Sequence, residues 1–200
     1  TLDGGTVELY GQPVTGASGR MGFMPQRDQL FEWRSIRDNV MLGLQIRRDH
    51  DPGHHAHVDT LLTRYDVSAF AAKRPDQLSG GMLQRIMIGI AMALQPELLI
   101  ADEPTTAIDA VTQYEILEEF VRIKKNKNTA MLFITHDLGA ISKVADRILV
   151  MNSGQIVDSG DFEHIRNHAN DPYTRLLIEK RSAVMCHYRD ILHGKEISHA

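Results

Sequence analysis

Four short stretches of this 200-residue chain carry groups suited to handling an anion, a cation and a proton together. Asp102-Glu103 closes the apolar run Leu98-Leu99-Ile100-Ala101, and His136-Asp137 closes the run from Ala130 to Thr135. Gln26 follows the apolar segment Met21–Met24. In open α/β sheets ligands gather at the carboxyl ends of the strands, and these three stretches sit at such ends. The fourth, Ser79-Gly80-Gly81, opens a long apolar helix, where free N–H groups and the helix dipole favour an anion and glycine lets the backbone approach it closely. Each stretch also has a plain reading. Asp-Glu-Pro serves as a helix-capping turn, Thr135-His136-Asp137 as an N-cap with a satisfied histidine, and Ser-Gly-Gly as a loop before a core helix. Their joint order and spacing is what points to chemistry.

The elements that must position these groups follow from periodicity. Gly5–Gly11 alternates apolar and polar residues between turns, as an edge strand does, and Met21–Met24 is a short apolar strand ending at Pro25-Gln26. Ile36, Val40 and Leu44 repeat at helical spacing from Ser35, a suitable N-cap, to about Arg47. Residues 49–57 read as a polar loop, followed by a helix near Val58–Tyr65. The helix from Ser79 to Leu94 is apolar nearly all round, the mark of an interior helix, and must stop near Gln95 because Pro96 follows. Strand–helix alternation then begins: strand 98–102, helix 110–125, strand 130–135, helix 138–144, and strand 147–151 leading into a hairpin with Gln155–Asp158. Unbroken apolar strands predict a parallel sheet covered on both faces. A helical tail starts at Pro172.

Composition narrows the classes. Two hundred residues with 42% hydrophobic and 24% charged content suit one compact globular domain. A net charge of −4 without blocks of like charge leaves no footprint for nucleic acid. No apolar run approaches a membrane span, so a membrane role must come through a partner. The single cysteine, Cys186, excludes a disulfide within the chain and fits a reducing compartment. The chain begins at Thr1 with no charged-then-apolar leader and reads as one that starts in mid-domain.

Taken together, "DQLSGGMLQR" and "LLIADEP" resemble the ABC-type ATPase family, as its signature motif and its Walker B strand. The resemblance implies an α/β fold: a P-loop NTPase-like core with a parallel sheet flanked by helices, plus an α-helical signature subdomain, truncated at the N-terminus. It implies a single ABC ATPase domain over 1–200, a helical subdomain over about 27–95 and a helical tail over 172–200. It implies ATP and Mg²⁺ as cofactors. Asp102 then holds Mg²⁺, Glu103 orients and polarises the attacking water, and His136 contacts the γ-phosphate and keeps glutamate and water in line. Gln26 matches the glutamine that reaches the metal and senses the membrane partner. Thr106-Ala107-Ile108-Asp109 matches the D-loop, with Thr for Ser and Ile for Leu. Ser79, Gly80 and Gly81 bind the γ-phosphate of ATP held on the opposite subunit. The implied partners are a second ATPase subunit, transmembrane permease subunits and, indirectly, a solute-binding protein, at the cytoplasmic face of the membrane.

The resemblance points to two importer branches. Residues 79–178, with "ADEPTTAIDAVTQ" and Asp171-Pro172-Tyr173-Thr174-Arg175, are similar to the peptide and nickel importers. Residues 22–46 look like the nitrate and sulfonate importers, and an "FQDPMTSLNP"-like insertion and a C-terminal cysteine cluster, common in the peptide branch, are missing. His50, His54, His55 and His57 invite a metal-site reading but fall in a Pro-Gly segment without ligand spacing, and a solvated loop is preferred. Cys186 reads as a small buried or neutral residue. Trp33 has two readings, an anchor for the membrane partner or a packing residue of the helical subdomain.

No phosphate loop of the form G-x-x-x-x-G-K-S/T occurs in the 200 residues. The expectation is an incomplete sequence of an ordinary ATPase, inactive as it stands. The alternatives are a short form that lends its signature face to a full-length partner, or a non-transport ABC protein.

Overall fold

A computed structural model of the chain describes residues 6, 8–9, 11–13, 20–47, 51–106, 108–125 and 129–180. The chain divides into two compact units, Thr1–His136 and Asp137–Ala200.

The first unit holds a three-stranded parallel sheet in the order β3 (Met21–Met24), β4 (Leu98–Asp102), β5 (Ala130–Ile134). Met24 pairs with Ala101, and Ala101 with Phe133, so the carboxyl ends of all three strands lie along one edge. The helix α3 (Gly80–Ala93) packs beneath β3 so closely that a β-carbon on Gly22 would lie 2.7 Å from the Ala91 carbonyl oxygen. Alternation sends Met24, Leu99 and Ala101 into a core with Ile116 and Phe120 of α4 (Ala110–Lys125). Phe120 meets Phe133 edge-on at 5.1 Å, a favoured aromatic geometry. Against the expectation of two covered faces, Phe23, Leu132 and Ile134 on the other side are roughly half exposed among the described residues. The unbroken apolar run predicts burial of each side chain but does not say what covers it.

A helical layer forms the rest of this unit. Its elements are α1 (Ile36–Ile46), α2 (Gly53–Arg64), two short 3₁₀ turns at Ser68–Phe70 and Pro75–Gln77, and α3. Ser35 caps α1 by accepting from the Asp38 amide, as its position before the apolar repeat predicts. Ile36, Val40, Val58, Leu62, Tyr65, Ile86 and Ile88 are essentially fully buried between the three helices. The helix α2 corrects the loop expected over 49–57, because it already starts at Gly53 and includes His54, His55 and His57. Pro52 sits at its N-cap, where proline costs nothing because the first N–H groups have no helical partner, and Asp51 accepts from the Gly53 amide at 2.8 Å. His57 Nε2 lies 3.2 Å from the Ala93 carbonyl at the end of α3. At the amino end of the unit, β1 (Glu8–Leu9) and β2 (Gln12–Pro13) pair antiparallel; Gly5, Val7 and Tyr10 of the edge strand expected over 5–11 lie outside the described residues, as do His50, Ala107 and Cys186.

The second unit begins with α5 (Leu138–Val144), capped by Asp137, and continues into the hairpin β6 (Ile148–Asn152) and β7 (Gln155–Gly160). The hairpin turns on Ser153 and Gly154, both at positive φ, the combination whose twist suits a two-residue hairpin. A short helix not anticipated from the sequence, α6 (Phe162–Asn167), follows, with Asp161 accepting from the His164 amide. Helical backbone resumes over 172–180, where Asp171 accepts from the Tyr173 and Thr174 amides.

Candidate active site

Glu103 is the best-anchored polar side chain at the sheet edge. Its backbone adopts φ +48°, a region that costs a non-glycine residue about 1–3 kcal/mol. Pro104 already disfavours the right-handed helical alternative for the residue before it. The turn is held by Glu103 N–H donating to the Ile134 carbonyl at 2.9 Å and by Thr106 N–H donating to the Glu103 carbonyl at 3.2 Å. The carboxylate then meets four donors. Oε1 accepts from the His136 amide at 3.1 Å and faces His136 Nδ1 at 2.7 Å. Oε2 accepts from the Thr106 hydroxyl at 2.9 Å and the Thr135 hydroxyl at 3.3 Å.

Burial of Glu103 pushes its carboxyl upward, but the His136 ring and amide and the Thr106 hydroxyl outweigh it and hold the group below the ordinary glutamate range. Glu103 is therefore ionised at neutral pH. An ionised carboxylate only accepts, so the hydrogen between it and His136 belongs on Nδ1. The Glu103 side chain is 17% exposed and the His136 side chain 75%, so a partly buried acid is paired with a solvent-facing imidazole. Asp102 ends β4 one step before Glu103 and is partly buried, while Gln26 is exposed just past the end of the neighbouring β3. Both supply oxygen donors at the same sheet edge, the ligand type a hard divalent cation takes.

The second cluster lies at the start of α3. Ser79 caps the helix, its hydroxyl accepting from the Met82 amide at 3.4 Å. The two glycines after it differ in what surrounds them. A β-carbon on Gly80 would meet only the Ile108 methyl, at 3.9 Å, whereas one on Gly81 would lie 2.3 Å from Thr112 Cγ2. Gly80 thus fits the reading of a backbone left open for close approach, while Gly81 is required by packing within the chain. Thr112 is fixed in turn by Asp109, which caps α4 by accepting from the Val111 and Thr112 amides at 3.1 and 3.0 Å and from the Thr112 hydroxyl at 2.6 Å. The Thr112 hydroxyl and amide lower the Asp109 carboxyl below its usual range. An open cleft of about 310 Å³ beside this cluster is lined by Ser79, Gly81, Met82, Arg85, Thr112 and Glu115, among others. Arg85 is held there by Glu115 at 2.5 Å.

The structure therefore brings Glu103 and His136 together, sets Asp102 and Gln26 at the same edge, and ties Asp109 to Gly81 through Thr112. Residues 103–109 run between the two clusters. Thr135 and Thr112 were not singled out from the sequence, and Thr106 was noted only as a D-loop substitution; threonines beside an acidic motif read as spacers until their hydroxyls are seen to donate. Trp33 is 71% exposed and rests against Phe31 with ring centroids 4.9 Å apart. Among the described residues, no group of three or more His, Cys, Asp or Glu side chains could hold a metal ion, and no helix is long and apolar enough to cross a membrane.

A metal-staphylopine import system ATP-binding protein of Staphylococcus aureus is 48% identical over 133 residues, covering 66% of this chain and 49% of that protein. An oligopeptide transport ATP-binding protein of Lactococcus lactis is 50% identical over 104 residues, covering 52% of this chain and 31% of that one. A glutathione import ATP-binding protein of Escherichia coli is 44% identical over 119 residues, 60% of this chain and 18% of that one. The chain spans at most about half the length of these relatives. The ABC transporter family model matches residues 1–106, more than half of the chain, and the protein belongs to that family.

Proposed function

We propose that this protein, in its full-length form, is the ATP-binding and hydrolysing subunit of an importer, acting with a second ATPase subunit and with permease subunits that hold it at the cytoplasmic face of the membrane. The observation that carries the reading is the Glu103–His136 pair at the carboxyl edge of a parallel sheet. Phosphoryl transfer asks the protein mainly for positioning and charge stabilisation, and the site is built for both. Glu103, ionised and held on four sides, takes the proton of the attacking water. His136 donates Nδ1–H to Glu103, and its exposed ring is the group that turns to a γ-phosphate. Asp102 and Gln26 would hold Mg²⁺, which supplies charge neutralisation on the phosphates. Ser79 and Gly80 present the α3 N-terminus to a phosphate bound by the opposite subunit.

The solute proposed is peptide-like or a metal chelate. Its support is the Pro172-Tyr173-Thr174-Arg175 segment and the names of the relatives, which import metal-staphylopine, oligopeptides and glutathione. The likeness of residues 22–46 to nitrate and sulfonate importers makes those solutes the competing outcome.

The test is Glu103→Gln in the ATP-hydrolysing assembly. The amide keeps the shape but cannot act as a base, so turnover is lost while ATP still binds and traps a closed dimer. Wild-type hydrolysis by this variant removes Glu103 from the mechanism. Uptake assays of the assembled importer with its binding protein decide the solute; sulfonate or nitrate uptake without response to peptides or chelates reverses the assignment.

A further inference from the structure

A carboxylate offers about four lone-pair positions, and in Glu103 the protein itself occupies all four. A water to be deprotonated must hydrogen-bond to one of the two oxygens, so one of these bonds has to open first. The four are not equally easy to release. Thr106 is doubly tied to Glu103, since its backbone N–H also donates to the Glu103 carbonyl across the same turn. Thr135 follows Ile134, whose carbonyl takes the Glu103 N–H, so the peptide unit before it is pinned as well. Both hydroxyls stand on β-branched side chains, which are stiff at χ1. The His136 amide belongs to the backbone. The His136 ring alone combines an exposed side chain with a bond that rotation about its own side-chain torsions breaks.

We infer that Thr106, together with Thr135, is a positioning residue that fixes Oε2 of Glu103, and that Oε1, uncovered when the His136 ring turns away, is the oxygen that receives the proton. The inference rests on the ATPase reading above. In the step itself the water proton passes to Oε1 and the water oxygen bonds to the γ-phosphorus. The bond from that phosphorus to the β–γ bridging oxygen breaks, and its electron pair leaves on ADP. With Oε2 anchored, the carboxylate plane keeps its orientation while the imidazole changes partner. Without the Thr106 hydroxyl, one of two anchors is lost and the carboxylate can follow the ring.

The experiment compares Thr106→Val, Thr106→Ala and Thr106→Ser with Glu103→Gln in the ATP-hydrolysing assembly. Loss of the hydroxyl is expected to lower kcat on the order of ten- to a hundredfold, the scale of a small misplacement of a reacting group, with KM for ATP little changed. Thr106→Ser, which keeps the donor, should return kcat to near the wild-type value. In nucleotide-free protein the ¹³C resonance of the Glu103 carboxyl should shift in the valine and alanine variants and return in the serine variant, a readout independent of turnover. If Glu103→Gln abolishes hydrolysis while valine and alanine keep full kcat and leave the carboxyl resonance in place, the positioning role is wrong and the ATPase reading stands. A serine variant as slow as valine also overturns it, because the effect would then follow side-chain shape and not the hydroxyl. If Glu103→Gln itself hydrolyses ATP normally, the underlying reading fails first.

Discussion

Thr112 packs against Gly81 so closely that a β-carbon on the glycine would lie 2.3 Å from the threonine Cγ2. Thr112 cannot readily give way, because its hydroxyl and amide are both bound to Asp109. The second signature glycine therefore serves the junction of α3 and α4 as well as any ligand. Gly81→Ala should destabilise the fold by about 1–3 kcal/mol through overpacking. Thr112→Ser, which removes the methyl and keeps the hydroxyl, should recover most of that loss. Gly80→Ala, with only an ordinary contact to Ile108 in its way, should be neutral or stabilising by up to about 1 kcal/mol. Urea unfolding of the variants measures this, and equal midpoints for the two alanine variants would contradict the distinction.

Asn39 is almost fully buried and organises the turn that carries Phe31 and Trp33. Its Oδ1 accepts from the Phe31 amide at 2.8 Å, and its Nδ2 donates to the carbonyls of Ser35 at 2.9 Å and Phe31 at 3.2 Å. Asn39→Ala should cost about 1–3 kcal/mol by leaving the buried turn without its side-chain bonds and the Phe31 amide without its acceptor. It should also free the exposed aromatic pair. Trp33 is the single tryptophan of the chain, so its fluorescence anisotropy reports on this turn alone, and an unchanged value in the variant would refute the role given to Asn39.

In the second unit, Asp158 joins the hairpin to the start of the last helical stretch. Its Oδ2 accepts from the Asn170 amide at 3.0 Å and, more weakly, from Asp171 at 3.4 Å, and its Oδ1 accepts from Ser159 at 2.9 Å. Burial raises its carboxyl, but these amides and the nearby His164 ring outweigh it and leave the group below the ordinary aspartate range. A folded-state value below the unfolded one means that the stabilisation is complete above the unfolded pKa. It is lost as pH falls through the folded value. The junction should therefore hold through neutral and mildly acidic pH and open only below the usual aspartate range. Hydrogen exchange at Asn170 and Asp171, corrected for intrinsic rates, should show protection at neutral pH that Asp158→Ala abolishes. Protection that survives in Asp158→Ala would remove the carboxylate from the junction.

Much of this protein is written in local patterns. The apolar period after Ser35, the run broken at Pro96 and the alternation of strands with helices after it determine α1, α3, β4, α4 and β5, because each depends on neighbours in the chain and on caps within a few residues. The acids, the histidine and the glycine-rich helix start were legible for the same reason: they stand at the ends of those elements. Two readings failed where a local signal has more than one use. Pro52-Gly53 marks a loop in one context and the first turn of a helix in another, and apolar strands announce burial without naming the cover. What the sequence left open was decided by contacts between distant residues. Parallel pairing of β4 with β5 is what brings Thr135 and His136 onto the carboxylate of Glu103, 32 and 33 positions away. Packing of α3 on α4 is what divides two adjacent glycines into one open to a ligand and one closed by a methyl group. Neither relationship has a period or a motif, because each is set by the geometry of side chains that meet only once the chain has folded.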